Sequence, residues 1–167
     1  MQHVRSDDRI KLLQGVWLFE RCTKKELAAL ARMATPVTVE PGRVLATEGT
    51  PGQEFVVVVE GTASATSRGQ EVGQISPGSF FGELALLDGG PRTATVRALT
   101  PMLVLVLDRS EFNELLDRAI PSVGRRMLVT IAERLRSERL RAERFRSNAR
   151  VDESADAVLD LRSNQQA

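Results

Sequence analysis

The sequence predicts a mainly β fold with flanking helices: an antiparallel double-stranded β-helix, or jelly-roll-like β-roll, followed by a long C-terminal helix. Three observations lead there. Between about residues 34 and 108, apolar residues alternate in short runs separated by Pro-Gly and glycine turns. On either side of that stretch the apolar spacing returns to the three-and-four rhythm of helices. Aromatic residues make up only 4% of the chain, so Val, Leu and Ile must fill the core between the strands.

The elements follow in order. Ile10, Leu12, Leu13, Val16 and Leu18 give a first helical face. Thr23-Lys24-Lys25-Glu26 is a capping box, in which Thr caps a helix and Glu three residues later reaches back. A helix from Lys24 to about Met33 should follow, with Leu27, Leu30 and Ala31 inward. After Pro36 the period becomes two. Val37–Glu40, Arg43–Glu48, Glu54–Glu60, Thr62–Thr66 and Glu71–Ile75 read as strands around turns at Pro41-Gly42, Pro51-Gly52 and Ser67-Arg68-Gly69. Ala94–Ala98 and Met102–Leu107 complete the set. Glu111–Leu116 is a short helix, and Pro121 suits the first turn of a longer one running to about Phe145. In that helix Leu128, Ile131, Leu135, Ala142 and Phe145 form a seam that Glu138 interrupts.

The 167 residues are read as one domain over 1–147, with the β-roll at about 34–108, helices at about 109–147 and a polar tail at 148–167. Composition excludes several classes. Cys22 is the only cysteine, so a disulfide scaffold is out, and the residue reads as a small buried side chain in a reducing compartment. His3 is the only histidine, which leaves no Cys/His zinc site and no His-dependent nucleophile. No nucleophile–base pair is visible, so the chain is not read as an enzyme, and no prosthetic group is expected. No apolar run reaches the roughly 20 residues of a membrane span. No signal peptide is visible, and the expected location is the cytoplasm. The net charge is +1 overall, but residues 121–150 hold nine Arg against three Glu.

One interruption of the β pattern carries the chemistry. Ser79-Phe80-Phe81-Gly82-Glu83-Leu84-Ala85-Leu86-Leu87 places a short helix, Glu83 to Leu87, directly after a glycine. Asp88-Gly89-Gly90-Pro91 turns back to a strand beginning near Arg92-Thr93. A helix N-terminus offers free N–H groups and a positive dipole end to a phosphate. Gly82 lets backbone approach closely, Arg92 can serve as a bidentate phosphate donor, Thr93 adds a hydroxyl, and Glu83 can accept from a sugar hydroxyl. Singly, the Glu reads as dipole stabilisation and the Arg as a surface charge; together they describe a site for a small phosphorylated sugar.

Phe81-Gly82-Glu83-Leu84-Ala85-Leu86, followed by Pro91-Arg92-Thr93-Ala94-Thr95-Val96, resembles the phosphate-binding cassette of cyclic nucleotide-binding domains. These occur in regulatory subunits of cyclic AMP-dependent kinase, in cyclic-nucleotide-gated channels and in the catabolite activator protein. The resemblance covers roughly residues 12–140. It implies that Arg92 binds the exocyclic phosphate oxygens, with the amides of Leu84, Ala85, Arg92 and Thr93 completing the cradle. It implies that Glu83 accepts from the ribose 2′-hydroxyl, with Gly82 beside the sugar. Thr93 fits both cyclic AMP (cAMP) and cyclic GMP (cGMP). At Gly73, cyclic GMP-dependent kinases place an Arg, so cAMP is the favoured ligand. Arg139 falls where the catabolite activator family contacts the base, and could stack on a purine.

The resemblance also implies a sensor whose long helix moves on ligand binding and signals to a separate effector protein, with homodimerisation through that helix. About 20 residues follow the helix, with no helix-turn-helix pattern. Two other readings stand beside this one. The Arg-rich helix could grip nucleic-acid phosphates, but its arginines surround the helix and alternate with Glu133, Glu138 and Glu143, so nucleic acid is not the expected partner. The chain could also be a ligand-free interaction or dimerisation module.

Overall fold

The computed structural model describes residues 6–137. The chain divides into two compact units, Met1–Gly124 and Arg125–Ala167. The first begins with helices α1 (Ser6–Gln14) and α2 (Lys24–Met33), separated by a 3₁₀ turn at Trp17–Phe19. The Thr23 capping box forms as the sequence predicts: the Thr23 hydroxyl accepts from the Glu26 amide, and Glu26 accepts from the Thr23 amide at 2.6 Å. Leu27, Leu30 and Ala31 are buried, as their spacing requires.

Eight strands follow: β1 (Thr35–Val39), β2 (Val44–Ala46), β3 (Glu54–Glu60), β4 (Ala63–Ser67), β5 (Gln70–Ile75), β6 (Phe80–Phe81), β7 (Thr95–Ala98) and β8 (Met102–Asp108). They form two four-stranded antiparallel sheets, ordered β1-β8-β3-β6 and β2-β7-β4-β5. This is the predicted β-roll. Between the sheets lie Val39, Ala46, Val56, Val58, Ala63, Ala65, Phe81, Val96, Ala98, Met102 and Val104. Phe55 and Val57 alternate with that set along β3 and are equally buried, at 0% exposure. Phe55 packs on Phe80 (ring centroids 5.5 Å apart) and on Phe112 of the helix after β8 (5.0 Å). β3 is therefore covered on both faces, which explains why it is a continuous run of valines and not an alternating strand.

The cassette helix α3 (Glu83–Asp88) leaves the β6 end of the first sheet. After β8, α4 (Arg109–Glu114) is opened by a second capping box, with Asp108 accepting from the Glu111 amide at 2.8 Å and Glu111 from the Asp108 amide at 2.7 Å. The chain then widens at Leu115–Ala119 and closes with an i to i+5 bond from the Ile120 amide to the Leu115 carbonyl at 2.8 Å. Residues 121–137 are helical, beginning at Pro121 as predicted. Two expectations shift. Cys22 is half-buried and not buried. Phe80–Phe81 is a short strand that the sequence pattern does not announce. The remainder of the long helix, Arg139 and the 148–167 tail lie outside the described residues, as does His3.

Candidate functional site

Every local step from β6 to β7 has a physical cause. Phe80 and Phe81 pair with Val57 and Val56, and both rings are buried. The chain must then turn sharply, and Gly82 does so at φ 93°, in the left-handed region. Gly82 is the N-cap of α3 and has no side chain to cap with, so the first-turn N–H groups have no side-chain cap. These are the amides the sequence reading assigned to a phosphate, those of Leu84 and Ala85 among them. Within α3, Glu83, Ala85 and Leu86 point inward, and Glu83 is only 2% exposed. Leu84 and Leu87 point outward. Gly89, at φ 71°, ends the helix, and the Asp88 carboxylate accepts from the Gly90 amide at 2.8 Å, shaping the turn to Pro91.

Arg92 returns to the same place. Its side chain lies between two glycines. A Cβ on Gly82 would run into Arg92 Nη1 and the Glu54 carbonyl. A Cβ on Gly52 would meet Arg92 Nε at 3.0 Å and the Ala85 Cβ at 2.5 Å. Arg92 is 7% exposed, and among the described residues it and Glu83 are the two charged residues in the buried set. Arg92 thus returns against Gly82, the neighbour of Glu83, although eight residues lie between Glu83 and Arg92. Thr93 is exposed beside them.

One expected contact is not formed. The amide of Arg92, assigned to the phosphate cradle by resemblance, donates to the Thr50 carbonyl at 2.8 Å, while the Arg92 carbonyl accepts from the Gly49 amide at 2.8 Å. This backbone pairing fixes the start of the returning strand, so the Arg92 side chain and not its amide is available for an anion.

The guanidinium also has a protein partner that sequence reasoning missed. Arg92 Nη1 donates to the Glu54 carbonyl at 2.9 Å, and Nη2 to the Glu54 carboxylate at 2.9 Å. Two of its five N–H donors are thereby used, which leaves others for a phosphate. The Glu54 side chain is 53% exposed, so this ion pair is solvent-screened and worth at most about 1 kcal/mol. A phosphate would compete with the carboxylate for one guanidinium. Glu54→Gln is accordingly expected to tighten phosphate-ester binding a few-fold, up to roughly fivefold for 1 kcal/mol, which calorimetric titration would read directly. No buried side-chain polar atom among the described residues lacks a hydrogen-bond partner, so Glu83 and Arg92 are held in satisfied positions.

The β-roll thus holds a buried arginine threaded between glycine backbones and a buried glutamate at the start of a short helix without a side-chain cap. The sequence profile described as "Cyclic nucleotide-binding domain" matches residues 36–119, and the chain belongs to that family. A cyclic nucleotide-gated potassium channel of Mesorhizobium japonicum is 36% identical over 137 residues, covering 80% of this chain and 38% of the channel. The regulatory domain of Toxoplasma gondii PKA, solved with cAMP, superposes with TM-score 0.69 at 28% identity, over 77% of this chain and 50% of that one. The catabolite activator protein of Thermus thermophilus gives TM-score 0.69 at 27% identity, over 75% and 61%. The chain thus spans less than two thirds of each of these proteins. Among the described residues, no helix is long and apolar enough to cross a membrane.

Proposed function

We propose that the protein is a cytoplasmic cyclic-nucleotide sensor that binds cAMP in preference to cGMP and acts without catalysis. The observation that carries this is the buried Arg92 beside Gly82 and Glu83. A guanidinium packed against one glycine and a buried carboxylate on the next residue match a ligand that is an anion on one edge and a diol on the other. Arg92 takes the exocyclic phosphate oxygens with the amides of Leu84, Ala85 and Thr93. Glu83 accepts from the ribose 2′-hydroxyl, Thr93 meets the base, and Arg139 is assigned to the base by resemblance alone. The preference for cAMP is supported by cAMP in the Toxoplasma structure and by Gly73, in β5, which supplies no side chain to a guanine.

The output is proposed to run through the C-terminal helix to a separate effector protein, with homodimerisation along that helix. Leu128, Val129 and Leu135 lie on its described part at 62%, 54% and 55% exposure, an apolar set suited to a second copy. The domain is taken as 1–147, with 148–167 as an appended tail.

The test compares cAMP, cGMP, 5′-AMP and 2′-deoxy-cAMP by calorimetric titration. The cyclic nucleotides should bind and 5′-AMP should bind far more weakly. Removing the 2′-hydroxyl should cost roughly ten- to a hundredfold, since a hydrogen bond to a charged group is worth about 1.5–3 kcal/mol. In Glu83→Gln the difference between cAMP and its 2′-deoxy form should shrink to a few-fold. Equal affinity for both in the wild type would remove Glu83 from the ribose.

A further inference from the structure

Arg109, the first residue of α4, lies outside every motif discussed above, yet it reaches both halves of the site. Its Nη2 donates to the Gly52 carbonyl at 3.1 Å and to the Ala85 carbonyl at 3.4 Å. Its Nη1 donates to the Leu86 carbonyl at 3.3 Å, and its Nε to the Gln53 side-chain oxygen at 3.2 Å. Ala85 and Leu86 belong to the last turn of α3, where carbonyls have no partner within the helix and where a cation meets the negative end of the dipole. Gly52 and Gln53 immediately precede Glu54, whose carbonyl and carboxylate hold Arg92. One guanidinium therefore ties together the helix that carries Glu83 and the segment that carries the partner of Arg92.

The Arg109 backbone is itself fixed. Asp108 and Glu111 close the capping box around it, so the side chain projects from a rigid start. The contact between Gly52 and Ala85, too close for any Cβ on Gly52, shows that α3 and this segment are pressed together where Arg109 joins them. We infer that Arg109 is a positioning residue for nucleotide affinity. It sets the spacing between Glu83 and Arg92 and makes that spacing depend on the placement of α4. Lysine cannot replace it, because a single ammonium cannot serve four acceptors spread over two segments in the planar fork these contacts use.

This rests on the cyclic-nucleotide reading, so the experiment has one arm with ligand and one without. In the full chain, Arg109→Lys, Arg109→Ala and Gln53→Ala are compared with wild type. Without ligand, hydrogen exchange should accelerate over residues 83–90 and 50–54 in both Arg109 variants, while the β4–β5 segment keeps its protection. With cAMP and with cGMP as probes, affinity should fall about tenfold or more in both Arg109 variants, by analogy with the loss of outer-shell partners at metal sites. Gln53→Ala, which removes one of four acceptors, should cost no more than about threefold. Unchanged exchange over 83–90 overturns the inference whether or not a nucleotide binds. So does an Arg109 variant with wild-type affinity, or one whose exchange rises uniformly over the barrel, which is the mark of a merely structural role. If wild type binds neither nucleotide, the cyclic-nucleotide reading and with it the affinity role of Arg109 fail, and the exchange arm alone decides whether Arg109 holds α3.

Discussion

Arg92→Ala should abolish nucleotide binding while leaving the protein folded. Two charge-assisted hydrogen bonds to phosphate, at about 1.5–3 kcal/mol each, correspond to a loss of roughly a hundredfold to ten-thousandfold. The effect on the free protein should be far smaller. The partner left behind, Glu54, is half exposed and can take water in place of the guanidinium, so no buried charge is stranded. Thermal melting separates the two effects. Ligand at 100 times Kd stabilises wild type by about 2.7 kcal/mol, or roughly 5–10 °C for a domain of this size. That shift should vanish in Arg92→Ala, with the unliganded melting temperature changed by only a few degrees. A shift that survives would mean that the buried arginine is a structural ion pair and that the anion binds elsewhere.

Gly82→Ala should weaken binding and, unlike Arg92→Ala, should also cost substantial stability. The residue has φ 93°, and a Cβ there meets Arg92 Nη1 and the Glu54 carbonyl, which is backbone and cannot step aside. The left-handed conformation costs about 1–2 kcal/mol and the overlap about 1–3 kcal/mol more. Together these lower melting by roughly 5–15 °C. The guanidinium must also move, so binding should fall with stability. Gly89→Ala is the matched control. Its φ is also positive, at 71°, but nothing lies within 4 Å of the added Cβ. It should pay the conformational cost alone and bind nucleotide normally. If Gly82→Ala bound as tightly as Gly89→Ala, the close packing of Arg92 against Gly82 would have no functional weight.

What could be read before the fold was known divides along a physical line. Local chemistry was visible. Thr23 and Glu26 are three residues apart and close a capping box whatever surrounds them. The valine run of β3 and the turn glycines are equally self-contained. Glu83 and Arg92 were legible because the intervening helix and turn bring them together within one short segment. Contacts made across the chain were not visible. Glu54 lies 38 residues from Arg92, and nothing in its neighbourhood marks it as the guanidinium's partner. The pairing of the Arg92 amide with Thr50 is likewise a long-range backbone event, and it withdrew an amide from the expected cradle. Gly52 looked like half of a Pro-Gly turn, and only the approach of Ala85 and Arg92 shows why glycine is needed there. β6 has two residues, too few for any periodicity to register; it exists because Val56 and Val57 offer an open edge to Phe80 and Phe81.

The Trp17 ring stands against Phe80, with centroids 6.1 Å apart, and Phe80 is two residues before the glycine that opens the site. The chain has one tryptophan and no tyrosine. Its near-ultraviolet emission therefore comes from a single chromophore, lodged at 42% exposure against the strand that leads into the cassette. That indole is placed as an intrinsic optical probe of the segment leading to Gly82, and titrating unlabelled protein with cAMP at its emission wavelength tests whether ligand is felt there.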